Sequence, residues 1–174
     1  RPTIETGAET VPAETSSGWL ATVMVLFKLR VVLLLLFAAL GGALIGSAGA
    51  PAVADLALLI LTGTLSAGGA SALNQYLERH KDGLMKRTRR RPLVTGQVNA
   101  RVLLPVASAM VVGASVLAWA AGNPWLATWL AVGAFIYVGI YTLWLKPRSV
   151  LNVVIGGAAG SAAVISGGAA VGQW

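Results

Sequence analysis

The stretch Asn74-Gln75-Tyr76-Leu77-Glu78-Arg79-His80-Lys81-Asp82, followed by Lys86-Arg87-Thr88-Arg89-Arg90-Arg91-Pro92-Leu93, marks where an uncharged apolar run meets a dense block of charge. The run behind it, Leu56–Leu77, is long enough for a bilayer crossing, which needs about 20 apolar residues at about 1.5 Å each. The charged block stands where such a helix would reach water. Asn74, Glu78 and Asp82 are spaced i, i+4, i+8, so a helix that persists through Asp82 carries all three on one face. Oxygen donors grouped in this way suit a hard cation such as Mg²⁺, which keeps several waters and bridges to substrate phosphates. The cations that follow suit the phosphates themselves. The pattern predicts a magnesium–diphosphate site at a membrane surface.

Composition supports the membrane. Hydrophobic residues make up 56% of the chain and charged residues 11%, about half the charge of a soluble domain. Uncharged stretches cover Val31–Ala54, Leu56–Leu77, Val102–Leu145 and Ser149–Trp174. The third holds Gly122-Asn123-Pro124 near its middle, and Pro cannot donate a helix hydrogen bond, so it reads as two helices and a turn. The expectation is an all-α, polytopic membrane bundle of five spans. Helices are expected over about 22–47, 52–80, 100–121, 124–145 and 150–171, the first beginning as early as Trp19. Residues 1–18 are polar, with Pro2 and Pro12, and read as a disordered tail before a membrane domain over 19–174. The odd span count, the start at Arg1 and the stop at Trp174 point to a piece of a longer protein. Glycine pairs Gly42/Gly46, Gly156/Gly160 and Gly168/Gly172 have the spacing of helix-packing grooves. The Gly68-Gly69-Ala70 patch, one turn from Asn74, offers thin walls beside the site.

All thirteen Lys and Arg residues fall on one side of this topology. Seven lie between Arg79 and Arg91; the turns at Gly49-Ala50-Pro51 and Gly122-Asn123-Pro124 hold none. The positive-inside rule then puts the N-terminus and the basic loops in the cytoplasm, in a multi-pass protein of the cell's inner (plasma) membrane. The net charge of +7 is a topological signal before it is anything else. No aromatic interleaving or motif supports nucleic acid as a partner. Cysteine is absent, which excludes disulfides and thiolate metal sites.

Glu78 and Asp82 alone read as counter-charges to the arginines around them. Asn74 tips the balance, because an amide inside an uncharged span is costly to bury without a purpose. His80, the single histidine, points about 200° away from Glu78 on a helical wheel, and one histidine makes neither a zinc site nor a bis-histidyl heme site. Tyr141 and Lys146 close the fourth helix, where the simplest roles are interfacial anchor and snorkelling cation.

At these residues the chain resembles the UbiA superfamily of intramembrane prenyltransferases, and within it the protoheme IX farnesyltransferases, or heme O synthases. That group's Asn-x-x-x-Asp-x-x-x-Asp signature, followed by a basic stretch ending in Arg-Pro-Leu, is matched by Asn74, Glu78, Asp82 and Arg87-Thr88-Arg89-Arg90-Arg91-Pro92-Leu93. Lys28-Leu29-Arg30 resembles its Lys-Pro-Arg opening. Tyr141-Thr142-Leu143-Trp144-Leu145-Lys146 and Asn152–Gly160 resemble its stretch around the fifth helix. Glu78 stands for the usual Asp, His80 for a common further acid, and Leu29 for Pro.

The resemblance implies a fold of about nine helices with a second acidic motif beyond residue 174, so the chain alone would be inactive. It implies Mg²⁺ on Asn74, Glu78 and Asp82. It implies the diphosphate of farnesyl diphosphate on Arg79, Arg90, Arg91 and Lys146, and Tyr141 with Lys146 at the reacting end. The reaction implied is Mg²⁺-dependent transfer of a farnesyl group to the vinyl group of heme b, giving heme O. Heme b and the lipid bilayer are then partners. A quinone precursor or a chlorin is the alternative acceptor within the superfamily. A small transporter is the alternative outside it, disfavoured because the polar residues gather at one interface and not at the bilayer midplane.

Overall fold

A computed structural model of the chain describes residues 18–146, 148 and 152–172, and all the regular structure among them is helical. The helices are α1 (Trp19–Leu26), α2 (Leu29–Gly46), α3 (Val53–Leu84), α4 (Ala100–Ala120), α5 (Pro124–Ala134) and α6 (Asn152–Ala170). A π-helical segment, Phe135–Leu145, continues α5. Four of these units are long and apolar enough to cross a membrane: α2, α3, α4, and α5 with its π segment. The chain is a multi-pass membrane protein. The fifth expected span corresponds to α6, 19 residues rich in Gly and Ala, packed on α2 and α5. The tail expected over 1–18 lies, except for Gly18, outside the described residues, as does the start expected for α6 at 150.

Three features depart from the expected elements. The first helix is two helices, because Lys28 takes a left-handed conformation (φ 47°, ψ 51°) that breaks the ladder between Leu26 and Leu29. A non-glycine residue rarely adopts that region without tertiary support. The support comes from α3: the Gln75 side-chain amide donates to the Val25 and Leu26 carbonyls, both at 2.7 Å, which caps the open end of α1. The second departure is length. Helix α3 runs on to Leu84, not 80, and its 32 residues extend about 48 Å, well beyond a hydrocarbon core about 30 Å thick.

The third departure is the π segment, expected to be ordinary α-helix. Its widened ladder shows in the Lys146 amide, which donates to the Tyr141 carbonyl five residues back; within it the Thr142 hydroxyl donates to the Tyr137 carbonyl. Such segments are rare and concentrate at functional sites.

Between lipid-facing surfaces the helices meet through small residues, since lipid supplies no hydrophobic force to join them. A methyl group on Gly42 would collide with the Val164 carbonyl, and one on Gly167 with the Ala39 carbonyl, so α2 and α6 touch backbone to backbone. Gly42 is used as expected, but its counterpart is Gly167; Gly160 faces open space. The Gly68-Gly69 patch is taken by α4, whose Ala107 and Met110 close on Gly69. Gly68 and Gly69 leave no slot for a ligand, while Ala70, the third residue of the patch, lines an apolar cavity on the other side of α3. A tight cluster of Ala39, Ala43, Leu59, Ala118, Leu126, Ala127, Leu130 and Ala170 fills the end of the bundle away from the basic loops.

Candidate functional site

Helix α3 carries the site. Its i, i+4, i+8 face places Asn74, Glu78 and Asp82 in a row, and each meets a cation from a different part of the chain. The Lys28 ammonium donates to Asn74 Oδ1 at 2.8 Å and to the Tyr137 hydroxyl at 3.3 Å. Lys146 pairs with Glu78 Oε1 at 2.5 Å, and Arg91 with Asp82 Oδ2 at 2.5 Å. Asn74 Nδ2 completes its bonding by donating to Thr142 Oγ1 at 3.0 Å, wholly inside the bundle. Three cations face two carboxylates and one amide. The local balance is positive, which favours a polyanion and disfavours a bare metal.

Each element reaches the row for a local reason. Lys28 arrives because the left-handed kink turns the chain at that residue. Arg91 arrives because the loop 85–99 folds back over the end of α3, where the Thr88 hydroxyl donates to the Asp82 carbonyl and Pro92 and Leu93 are buried. Lys146 arrives through the π segment. On an ordinary α-helix Tyr141 and Lys146 would lie about 140° apart; here the ammonium stands 5.7 Å from the centre of the Tyr141 ring. That ring stacks on Tyr137, with centroids 5.7 Å apart and planes at 10°. Burial holds the Lys28 ammonium below the ordinary lysine pKa; Arg91 and Lys146 reinforce the shift, while Glu78 and Asp82 oppose it.

The structure thus gathers Asn74, Glu78, Asp82, Arg91, Tyr141 and Lys146. It keeps Arg79 apart, with its guanidinium 4.2 Å over the Tyr76 ring and bonded to the Tyr76 carbonyl. Arg90 is exposed and lines a shallow groove of about 250 Å³ with Arg87, Thr88 and Val25, adjoining the site through Arg91. Lys28, Tyr137 and Thr142 are site residues that site reasoning from sequence missed. Lys28 was visible only as part of the Lys-Leu-Arg opening.

Asn74, Glu78 and Asp82 fit a magnesium ion by donor chemistry. All three offer hard oxygens on one face, and the ion usually takes one or two carboxylates plus waters and phosphate. Among the described residues no cluster of three or more His, Cys, Asp or Glu side chains exists, so a phosphate would have to share the coordination.

Below the polar row lies an apolar cavity of about 220 Å³ between α2, α3, α5, the π segment and α6. Tyr137 and Ser71 line it at the polar end, and Ser71 Oγ is buried without a hydrogen-bond partner. Gln75 Oε1, one turn further along α3, is likewise unpartnered. Ala39, Leu59 and Leu130 line the other end. Tyr137 links the two regions, since its ring borders the cavity and its hydroxyl meets Lys28.

The chain is similar in sequence to known proteins. The protoheme IX farnesyltransferase 2 of Paramagnetospirillum magneticum is 44% identical over 144 residues, covering 82% of this chain and 50% of that protein. The protoheme IX farnesyltransferase of Thermus thermophilus is 43% identical over 166 residues, covering 95% of this chain and 27% of that protein. That of Sulfurisphaera tokodaii is 42% identical over 149 residues, covering 83% and 49%. The chain therefore spans about half, or less, of the length of these relatives. No solved structure matches it. The profile of the UbiA prenyltransferase family matches residues 34–174, which include the whole α3 row, the basic loop and the π segment, and the chain belongs to that family.

Proposed function

We propose that this chain forms the donor-binding part of an enzyme that transfers a farnesyl group from farnesyl diphosphate to the vinyl group of heme b, yielding heme O. One observation carries the reading: three oxygen donors on α3 and three cations from separate elements converge directly above an apolar cavity of about 220 Å³. A diphosphate with a prenyl tail presents both chemistries, a dense anion and a long apolar body. The acceptor identity is supported by the names of the relatives. The cavity itself, at about 220 Å³, is smaller than pockets for drug-sized ligands, so it suits the tail and leaves the macrocycle to bind elsewhere.

In this reading Asn74, Glu78 and Asp82 hold Mg²⁺, which would supply charge neutralisation on the diphosphate. Lys28, Arg91 and Lys146 leave their α3 partners for phosphate oxygens, with Arg90 at the rim. As the carbon–oxygen bond breaks, the electron pair departs with the diphosphate, and these cations stabilise the developing negative charge. The allylic carbon becomes electron-poor beside Tyr137 and Tyr141, whose ring faces favour positive charge, as the position of Lys146 over Tyr141 illustrates. The terminal carbon of the heme vinyl group attacks, the positive charge passes to the vinyl carbon next to the macrocycle, and water adds there, giving up a proton to the released diphosphate. The basic end of the bundle faces the cytoplasm, on the strength of the cation bias, in the inner membrane.

The test is product formation in bilayers by the full-length native protein, supplied with farnesyl diphosphate, heme b and Mg²⁺. Heme O is the expected product. A product from a phenolic acid and none from heme would move the acceptor to another class.

A further inference from the structure

We infer that Leu59 and the open face at Gly160 set the length of the prenyl chain accepted, so that the cavity is a ruler as well as a tail pocket. The inference rests on the donor reading above and goes beyond it to specificity. The cavity has a defined start and a defined stop. It starts at Ser71 and Tyr137, beneath the polar row. It stops at Ala39, Leu59 and Leu130, three lining residues that also belong to the close-packed cluster at the far end of the bundle. Leu59 is the largest side chain of that floor with almost no exposure, 1%. Beyond it stand Ala43, Leu126 and Ala127 of the same cluster.

The distance between start and stop is read along the helices. Ser71 and Leu59 are twelve residues apart on α3, and Gly156 and Ser166, both lining residues, are ten apart on α6. At 1.5 Å per residue these are about 15–18 Å, the order of length of an extended three-isoprene chain. A longer chain meets Leu59, and a shorter one leaves apolar surface uncovered.

Gly160 supplies an independent handle midway along the wall. It lines the cavity, and a Cβ built on it meets nothing within 4 Å. Bulk added there enters the cavity without disturbing a helix contact, unlike bulk at Gly42 or Gly167, where backbones touch.

The experiment compares geranyl, farnesyl and geranylgeranyl diphosphate as donors for the full-length native protein and two variants in bilayers. Leu59→Ala is expected to raise kcat/KM for the geranylgeranyl donor at least tenfold relative to farnesyl. Gly160→Leu is expected to shift the ratio at least tenfold toward geranyl. Single methylene differences in apolar pockets already discriminate by ten-fold or more. Opposite shifts support the ruler. Unchanged ratios, or shifts in the same direction, overturn it while leaving the farnesyl donor reading intact. If Leu59→Ala fails to accumulate in the membrane, Gly160→Leu decides alone, because it fills open space. If the unaltered protein uses no prenyl diphosphate at all, the donor reading falls and the ruler falls with it.

Discussion

The two ends of the helix bundle are built on opposite principles. At the end away from the basic loops, the polar side chains among the described residues bond mainly to backbone carbonyls and amides. Asn123 illustrates this: its carbonyl oxygen accepts from the Leu126 amide at the start of α5, and its amide donates to the Ala169 and Ala170 carbonyls at the end of α6. One side chain caps two helices, above a cluster of alanines and leucines. At the basic end, polar side chains join each other across the kink at Lys28, α3, the π segment and the loop 85–99. There the backbone is forced left-handed at Lys28, the ladder widens after Ala134, and Ser71 Oγ and Gln75 Oε1 are buried without partners. Satisfied termini make a stable end. Paired charges in excess of one sign, irregular backbone and unmet hydrogen-bond capacity make the end at which the proposed donor would bind.

The comparison is broken most directly at Asp82. Asp82→Asn keeps the shape of the side chain but removes the carboxylate that faces Arg91. Turnover of the full-length native protein is expected to fall by about 10²- to 10³-fold, the loss typical when one electrostatic element of a transition-state cradle is removed. Membrane insertion should be unchanged. Assays at limiting and saturating Mg²⁺ check it, and normal turnover at limiting Mg²⁺ would refute the metal assignment. Glu78→Asp should keep activity, since it preserves the ligand type.

A smaller and more local effect is expected from Thr142→Val. Thr142 Oγ1 accepts from Asn74 Nδ2 and donates to the Tyr137 carbonyl, so valine removes both bonds at nearly constant volume. A buried side-chain hydrogen bond inside a membrane protein contributes about 0.6 kcal/mol on average. The expected loss of stability is therefore about 1 kcal/mol for the pair. Asn74 loses the partner that orients it, so kcat should drop several-fold while the tail-dependent part of donor binding stays constant. A variant that loses stability and no activity would show Thr142 to be a packing residue.

How much of this was legible in the sequence follows from which forces are local. Four of the five expected spans were readable because their length and apolar content answer to the bilayer alone. The α3 row was readable because Asn74, Glu78 and Asp82 share one helix, where spacing determines the face. Arg91 and Lys146 could be placed near it because their loops fall at the same end. Lys28 as a site residue was not readable, since its position depends on a left-handed kink stabilised by Gln75 from another helix. The π segment was hidden for a similar reason. Its sequence, Phe135–Leu145, reads as any apolar helix, and only its packing beside α3 shows why Tyr141 and Lys146 end on one face. The expectation for the Gly68-Gly69-Ala70 patch holds only at Ala70, which lines the cavity, because α4 fills the space beside Gly69.

The smallest expected effect on chemistry, and the sharpest control, is Asn123→Ala. Loss of an N-cap side chain costs about 0.5–2 kcal/mol, and here the same substitution also uncaps the Ala169 and Ala170 carbonyls. Thermal unfolding in detergent or lipid should therefore shift downward by an amount equal to or larger than that of Thr142→Val. Turnover per folded molecule should be unchanged, because no side chain of the polar row touches this end and the cavity floor at Leu59 stands between them. Measuring both quantities on both variants separates stability from function within one molecule. If Asn123→Ala lowers turnover as much as Thr142→Val at matched folded fraction, the two ends are mechanically coupled through α5 and its π continuation. The division between a structural end and a ligand-completed end would then have to be abandoned.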